Sequence, residues 1–278
     1  MSKSDPGFIP ATASAAPLDV TKVQEQLTAR RLGAKFHYFA EINSTNTRAR
    51  ELAERGAAQG EVVIGEAQIQ GRGRLGRHWE SPAFVNLYLS IILRPKLAPK
   101  HAPQITLMAA VALVETFAPL IAQAPIIKWP NDILVNSKKL AGVLTEAACS
   151  ADLIEHVILG IGINVNYRVD SMPPEIRSRA TSIADLTGSN VARESVLARL
   201  IQALDRCYGE LEEFGFDALR RRWEAHFGWR GRRVKVQHLD QVFTGRARGI
   251  ERDGALVLED DHGVLHSIYA GDVIPLET

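Results

Sequence analysis

The sequence is poor in cysteine and has no excess of charge of either sign. It contains two cysteines among 278 residues, Cys149 and Cys207, and neither lies in a CxxC or Cys/His spacing, so neither a zinc site nor a disulfide framework is expected. Both are predicted to be ordinary buried thiols. The 33 basic and 32 acidic residues give a formal net charge of +1, so no global field attracts nucleic acid or an anionic membrane. Any anion site must be local.

Long apolar runs are also missing. Residues 1–17 are rich in Ser, Ala and Pro and lack the continuous apolar centre of a signal peptide, so they are predicted to form a flexible tail. No later window approaches the roughly 18 apolar residues of a membrane span. The protein is therefore predicted to be soluble and cytoplasmic. A hydrophobic content of 46% is enough for one large domain, or for a medium domain with a small one.

Glycine and arginine alternate in the segment GRGRLGR (71–77), directly after an apolar stretch. Its three glycines fit the GxGxxG pattern of dinucleotide sites, which also needs a helix directly afterwards and an acidic residue about 20 positions on. Pro82 follows too soon for that helix, and no Asp or Glu occurs between residues 81 and 114. No Gly-Lys-Ser/Thr completes a P-loop. The segment is therefore interpreted as a backbone that approaches a ligand beside three guanidinium groups suited to phosphate or carboxylate. A solvated basic turn or a nucleic-acid patch is the alternative.

Periodicity and turn residues predict an α+β body followed by a small β-barrel. Helices are expected at 19–33, 43–56, 103–121 and 193–214, and in a further segment that holds Leu219 and Trp223. Strands are expected at 35–42, 61–68, 86–95 and 154–167, with a hairpin over 132–147. From residue 231 onward, short strands separated by turn residues indicate the barrel.

Two later segments place polar or missing side chains on predicted strands. KWPNDILVNSKKLAG (128–142) brings a proline, an acid and three lysines around a hairpin, where the lysine pair at the tip and the acid also fit a solvated turn. In GIGINVN (160–166), strand alternation puts Gly160, Gly162, Asn164 and Asn166 on one face, a flat floor with amides at one end. Close packing of a helix is the alternative reason for these glycines. Lys139 and Gly142 can share a strand face only through a bulge or a turn, since they are three positions apart.

Four motifs taken together, GRGRLGR, KWPNDI, KLAG and GIGINVN, closely resemble the biotin protein ligases in order and spacing. The resemblance runs from about Ile42, through NSTN (43–46), to the C-terminal RGIERDGALVLED and AGDV segments. It implies a catalytic domain over 18–230, with a mixed sheet flanked by helices like that of class II synthetases, and an SH3-like β-barrel over 231–278. Such enzymes join biotin and ATP, with Mg²⁺, into biotinyl-5′-AMP, release pyrophosphate, and pass biotin to a lysine of a biotin carboxyl carrier domain.

The resemblance also implies roles for individual residues. The biotin-binding residues would be Ser44, Thr45, Gln68, Gly71, Arg72, Arg74, Lys139, Gly142, Gly160 and Gly162. The ATP-binding residues would be Arg74, Arg77, Trp79, Lys128, Asn131 and Asn164, with Asp132 as a magnesium ligand. Lys139, Arg74 and Arg72 would be catalytic. Ser44 equally fits a helix cap.

Other functions are weighed against this one. About 40 residues precede EINSTN, too few for the operator-binding winged helix of some relatives, so a monofunctional enzyme without DNA binding is predicted. Dimers occur in the family, and the resemblance leaves a homodimer open. The alternative enzyme is a lipoate or octanoate ligase or transferase of the same fold, although its RRxxGGGxVxH segment is absent. A non-catalytic nucleic-acid-binding module is disfavoured by the near-neutral charge.

Overall fold

The computed structural model describes residues 16–29, 31–238 and 241–276, so most of the predicted tail lies outside the described residues. Its helices are α1 (Val20–Gln26), α2 (Thr45–Glu54), α3 (Pro103–Phe117), α4 (Pro174–Arg177), α5 (Ile183–Thr187), α6 (Arg193–Phe214) and α7 (Asp217–Ala225). Its first seven strands are β1 (Phe36–Ile42), β2 (Val62–Gln68), β3 (Leu87–Leu93), β4 (Ile126–Lys128), β5 (Asp132–Val135), β6 (Lys138–Ser150) and β7 (Leu153–Ile163). Five more follow: β8 (Arg233–His238), β9 (Gln241–Ile250), β10 (Leu256–Glu259), β11 (Leu265–Ile268) and β12 (Asp272–Pro275).

The strands form two sheets. Strands β1 to β7 make one mixed sheet in the order β1-β2-β3-β7-β6-β5-β4, in which β1 and β2 are parallel and the other pairs are antiparallel. Strands β8 to β12 make a five-stranded antiparallel sheet in the order β11-β10-β9-β8-β12. The prediction of an α+β body followed by a small β unit is confirmed.

Helices cover both faces of the mixed sheet. Strand alternation sends one set of β3 side chains into the main core with α3 and α6: Leu87, Leu89, Ile91 and Leu93. The opposite face has a smaller core of Ala49, Ala53, Val63, Ile92 and Ile158, built against α2. Because residues 158, 160 and 162 of β7 share this second face, the glycine motif lies on the same side of the sheet as α2.

The C-terminal sheet is docked on α3 and on the segment before β5. The indole Nε1 of Trp129 donates to the Gly254 carbonyl at 3.0 Å, and Gln104 Nε2 donates to the Arg252 carbonyl at 2.7 Å. A Cβ built on Gly254 would lie 3.0 Å from Leu107 Cδ1, so the turn approaches α3 as closely as a glycine allows. These contacts fix the C-terminal sheet relative to the mixed sheet.

Two predictions about the periphery are wrong. Helix α1 ends at Gln26 instead of continuing to Gly33, because the backbone N–H groups of Arg31 and Leu32 donate to Asp205 on α6 at 2.7 and 2.9 Å and draw the chain out of helical geometry. Cys149 is exposed near the end of β6, whereas Cys207 is buried as predicted. Among the described helices, none has both the length and the apolar character needed to cross a membrane.

Candidate active site

One cavity of about 370 Å³ collects nearly all of the predicted ligand-binding residues. Its lining includes Ser44, Thr45, Gln68, Arg72, Arg74, Arg77, Trp79, Lys128, Asn131, Asp132, Lys139, Gly142, Gly160, Gly162 and Asn164. Gly71 lies just outside the lining. It is buried, and a Cβ there would meet the Trp79 carbonyl at 2.4 Å. Motifs separated along the chain by up to 120 positions, from Ser44 to Asn164, therefore meet at one place, and the volume is in the range of small-molecule sites.

The floor of the cavity is a row of paired glycines. Gly142 on β6 pairs directly with Gly162 on β7. Gly160 lies two residues before Gly162 on the same face of β7. A Cβ on Gly162 would lie 2.4 Å from Cε2 of Trp79, and one on Gly160 would lie 2.0 Å from Oδ1 of Asn46. The glycines thus admit the Trp79 indole and the Asn46 amide close to the backbone of the sheet.

The prediction that Asn164 and Asn166 continue the strand face of Gly160 and Gly162 is wrong in part. Strand β7 ends at Ile163, so Asn164 and Asn166 do not continue its alternation. Asn166 exchanges hydrogen bonds with the backbone of Val191 at 2.9 Å, away from the floor. Asn164 still lines the cavity, but its Nδ2 donates to the Thr181 carbonyl at 3.0 Å. This bond holds the segment that contributes Arg179 and Ala180 to the cavity lining.

A hydrogen-bonded group closes one end of the cavity. The backbone N–H and the hydroxyl of Thr45 donate to Gln68 Oε1 at 3.0 and 3.2 Å, and Ser90 Oγ lies 2.8 Å from the Thr45 hydroxyl oxygen. Gln68 Nε2 in turn donates to Ser81 Oγ at 3.1 Å. Ser44 occupies the N-cap position of α2, yet its side chain makes no capping bond, so the alternative reading of Ser44 as a side-chain cap is not supported. This end presents fixed donors and acceptors to a neutral polar ligand group.

The glycine–arginine loop folds back on itself. The N–H of Trp79 donates to the Gly71 carbonyl at 3.0 Å, and the N–H of Gly73 donates to the Arg77 carbonyl at 2.7 Å. At the tip, Leu75 and Gly76 adopt φ values of 56° and 70°. The loop is therefore a narrow hairpin that turns Trp79 inward, and it is not followed by the helix of a dinucleotide site.

Two of the three loop arginines have carboxylate partners. Arg72 Nη2 lies 3.5 Å from Glu146 Oε1 on β6 and donates to Thr47 Oγ1 at 3.3 Å. Arg77 Nη2 lies 3.0 Å from Asp272 Oδ2 at the start of β12. These two side chains anchor the loop on either side, one to the mixed sheet and one to the C-terminal sheet.

Arg74 lies between these anchors and has a different environment. Its Nη1 donates to Asn131 Oδ1 at 3.3 Å and to the Gly271 carbonyl at 3.5 Å, and within the described ranges it forms no ion pair. Burial lowers the pKa of its guanidinium, while the charges of Asp272 and Asp132 act in the opposite direction. Because arginine stays protonated in proteins, Arg74 presents a charge to the cavity without a directly bound carboxylate.

A bulge in the β5–β6 hairpin orients Lys139. The pairing register shifts by one residue between Ile133 and Leu134, which places Lys139 and Gly142 on one face. A Cβ on Gly142 would lie 3.1 Å from Lys139 Nζ. The required bulge is confirmed. The hairpin tip consists of Asn136 and Ser137, so Lys139 lies on β6 beyond the tip, where its side chain is partly buried.

Lys139 sits between an acid and an aromatic ring. Its Nζ lies 2.7 Å from Asp132 Oδ1, an ion pair that is off the direction of a good hydrogen bond, and 5.1 Å from the centroid of the Trp79 ring. The indole Nε1 of Trp79 is buried and has no hydrogen-bond partner among the described residues. A buried donor of this kind is suited to an acceptor atom on a ligand.

The environment of Asp132 tests whether magnesium fits. No group of three or more His, Cys, Asp or Glu side chains in the described ranges could hold a metal ion. Among these residues, Asp132 offers a single carboxylate, and Lys139 Nζ lies 2.7 Å from its Oδ1, so a metal ion here would need further oxygen ligands from a substrate or from water.

Comparisons with known proteins agree with this geometry. Residues 38–164 match the model of the biotin/lipoate A/B protein ligase family, and residues 231–274 match the model of the biotin protein ligase C-terminal domain. The chain is 34% identical to the bifunctional ligase/repressor BirA of Bacillus subtilis over 256 residues, 92% of this chain and 78% of that protein. It is 34% identical to the biotin–[acetyl-CoA-carboxylase] ligase of Mycobacterium tuberculosis over 94% of this chain and 96% of that one. The chain belongs to the biotin protein ligase family.

A solved structure supports the same membership. The biotin protein ligase from Aquifex aeolicus in complex with biotin and ATP superposes with a TM-score of 0.75 at 29% identity, covering 88% of this chain and all of that one. The predicted biotin protein ligase family and fold are thereby confirmed. The second of the two matches, over residues 231–274, is to a domain named for the biotin protein ligases alone.

Sequence reasoning missed three residues that shape the site. Asn46 donates to Glu146 at 2.7 Å and accepts from Ser90 at 2.6 Å, which fixes its amide over Gly160. The sequence shows Glu146 only as one acidic residue in a mainly apolar predicted strand, which gives no sign of its partners. Asp272 lies in the AGDV segment, which was quoted for the resemblance without a role. All three act through partners distant in sequence.

Proposed function

We propose that this chain is an ATP-dependent, AMP-forming biotin protein ligase that makes biotinyl-5′-AMP and transfers biotin to a lysine of a biotin carboxyl carrier domain of acetyl-CoA carboxylase. The observation that carries the proposal is the layout of the cavity. A neutral polar end at Thr45 and Gln68 and a cationic end at Arg74 and Lys139 line the same cavity, together with the Trp79 indole that lies over Gly162. Biotin has the complementary layout, with a neutral polar ring system, an apolar chain and a carboxylate.

In the first step, the biotin carboxylate oxygen bonds to the α-phosphorus of ATP and the bond to pyrophosphate breaks. The two reactants are both anionic, so the site must neutralise and align them. Arg74 and Lys139 supply that charge from fixed positions, where preorganised donors stabilise the transition state most. Asp132 would hold a magnesium ion bound with the ATP, and that ion would supply further positive charge.

In the second step, the neutral amine of the carrier lysine attacks the carbonyl carbon of the adenylate, AMP leaves, and the amine loses a proton. Two bases are available for that proton: the Asp132 carboxylate and the phosphate of the adenylate. No protein nucleophile is required, because the substrate itself carries the activated group.

The wider assignments follow the same proposal. Residues 18–230 form the catalytic unit, residues 231–278 a C-terminal SH3-like unit, and the remaining predicted ligand contacts act as the resemblance implies. The enzyme works in the cytoplasm, as a monomer or a homodimer.

Exchange of labelled pyrophosphate into ATP tests the proposal. The exchange should depend on biotin, not be supported by lipoate, and be accompanied by biotin transfer to a purified carrier domain. Exchange that proceeds with lipoate and not with biotin would favour the lipoate branch instead. No exchange with either acid would contradict ligase activity of this type.

A further inference from the structure

The segment Gly271–Asp272 of the C-terminal sheet contacts the glycine–arginine loop at two points. The Asp272 carboxylate accepts from Arg77 Nη2 at 3.0 and 3.1 Å, and the Gly271 carbonyl accepts from Arg74 Nη1 at 3.5 Å. Adjacent residues of one sheet thus hold two of the three loop arginines. Asp272 is 195 positions away from Arg77 in the sequence, so this is a contact between domains.

The position of Asp272 is set by the fold around it. It starts β12 and pairs with Gln237 on β8. Gly271 has φ of 145°, and a Cβ there would lie 2.7 Å from Val236 Cγ1 and 2.9 Å from the Gln237 carbonyl, so only glycine fits. Because the C-terminal sheet is docked on α3 and Trp129, the carboxylate is presented to the loop from a fixed support.

Contacts within the loop carry the position of Arg77 to Arg74. Arg77 Nε donates to the Arg74 carbonyl at 3.2 Å, and the Gly73 N–H donates to the Arg77 carbonyl at 2.7 Å. Arg77 is therefore bonded to the backbone on both sides of Arg74. Fixing its guanidinium on Asp272 restricts the backbone that carries the Arg74 side chain into the cavity.

We propose that Asp272 is a positioning residue for the ligase reaction: by binding Arg77, it keeps the loop closed over the cavity, so that Arg74 and Trp79 cover the adenylate until the carrier lysine reacts. This inference rests on the proposed function. An acyl adenylate in contact with bulk water hydrolyses, and a loop that opens more often loses more of it. Asp272 itself touches no reacting atom.

Loop opening can be measured without any substrate. Leu75 at the loop tip is 67% exposed and unchanged in every variant, so chymotryptic cleavage after it, followed by mass spectrometry, reports opening. Asp272→Asn should raise the cleavage rate about threefold to fivefold, the range that a half-exposed ion pair supports. Arg77→Gln should act alike, and the double variant should cleave no faster than either single one, because both remove the same contact.

A second readout connects the contact to the reaction. With MgATP, biotin and the carrier domain, pyrophosphate released per biotin transferred should rise in Asp272→Asn by about the same factor, since adenylate is lost to water. The KM for biotin should stay within about twofold, because Thr45 and Gln68 are not disturbed. Asp272→Glu keeps the carboxylate and should restore both readouts.

Asp261→Asn is the matched control. It removes an exposed ion pair of the same sheet, with Arg233 at 2.5 Å, and Arg233 begins β8 at the opposite end from the residue that Asp272 pairs with. It should leave both the rate of cleavage after Leu75 and the pyrophosphate released per biotin transferred at wild-type values. Wild-type cleavage and coupling in Asp272→Asn would overturn the inference and leave the ligase intact. If wild type itself releases no biotin-dependent pyrophosphate, the proposed function fails, and the cleavage rates still decide whether Asp272 holds the loop.

Discussion

The indole of Trp79 lies directly over the backbone of Gly162, so close that a Cβ on that glycine would be 2.4 Å from Cε2. No side-chain rotation at position 162 avoids this clash, because Cβ is fixed by the backbone. The glycine floor and the loop therefore depend on each other: the sheet provides the space, and the loop supplies the ring that fills it.

Gly162→Ala should lower the free energy of unfolding by about 1–3 kcal/mol, the usual cost of forcing an extra methyl group into a packed site. In a Trp79→Ala background the same substitution should cost less than about 1 kcal/mol, since the ring is gone. Urea unfolding of the four proteins measures both values. An equal cost in both backgrounds would show that Trp79 does not occupy the space over Gly162.

Lys139→Met should lower biotin-dependent pyrophosphate exchange by about two orders of magnitude or more, because it removes a preorganised cation while keeping the apolar stem. Lys138→Met is the matched control: Lys138 is the exposed neighbour and does not line the cavity. Its exchange rate should stay within about twofold of wild type. Equal effects of the two substitutions would remove Lys139 from the proposed site.

Two of the loop arginines, Arg74 and Arg72, should differ in their effects. Arg74→Ala should slow adenylate formation, or speed its loss, by about two orders of magnitude or more, as when a transition-state donor is removed. Arg72→Ala should cost about tenfold or less, because Arg72 is already paired with Glu146. Single-turnover formation and decay of biotinyl-5′-AMP measure both. A larger loss in Arg72→Ala than in Arg74→Ala would reverse the assignment of the uncompensated charge.

Local sequence signals were sufficient for most of the main elements, whereas the set of predicted ligand-binding residues came mainly from the resemblance to the biotin protein ligases. Helix α6 begins and ends where its apolar period predicted, because that period and the glycine after Phe214 are properties of neighbouring residues. The bulge before Gly142 could be inferred as well, since alternation alone could not place Lys139 beside it.

Contacts between distant residues could not be predicted in this way. Helix α1 stops early because Asp205, 174 positions from Arg31, binds the backbone that a helix would have used. The partners of Arg72 and Arg77 lie on a central strand and on the C-terminal sheet. Nothing in the pattern of a glycine–arginine loop distinguishes an arginine that anchors it from one that faces a ligand. That distinction depends on which carboxylates the fold brings near.

Acid should selectively remove the stabilisation that Glu61 provides. Its pKa is lowered, chiefly by the hydrogen bond from His37 at 2.6 Å, with burial acting in the opposite direction and the Ala58 N–H and Lys35 assisting. A carboxyl with a lowered folded-state pKa stabilises the fold fully above its unfolded value, near 4.5, and loses this effect as pH falls through the folded value. Glu61→Gln should thus cost about 1–2 kcal/mol at pH 7.

The difference between Glu61→Gln and wild type should shrink steadily below about pH 4.5 in urea unfolding measured from pH 7 to 3. Glu54→Gln, at the exposed end of α2, is the control and should stay within about 0.5 kcal/mol of wild type at pH 7. A Glu61→Gln penalty that is unchanged at pH 3 would mean that the charge of Glu61 is not what stabilises the fold.

A buried ion pair makes the strongest stability prediction. Arg193 and Glu66 side chains are 6% and 0% exposed, and they meet through two contacts at 2.6 and 3.1 Å. Glu66 also accepts from the Leu18 N–H and from Tyr38, whose pKa rises to about 12 because of burial and the charge of Glu66. The pair therefore joins the segment before α1 to the sheet and to α6.

Glu66→Ala should destabilise the protein by about 3–5 kcal/mol, because it leaves the Arg193 guanidinium buried without its partner. Replacing both residues, as Glu66→Leu with Arg193→Met, should cost less than the single change, since no charge is then left inside. Arg233→Ala, which breaks an exposed pair, should cost about 1 kcal/mol or less. Urea unfolding at pH 7 orders the three variants. A double variant as unstable as Glu66→Ala would mean that the lost packing around position 66 determines the stability, and not the uncompensated charge.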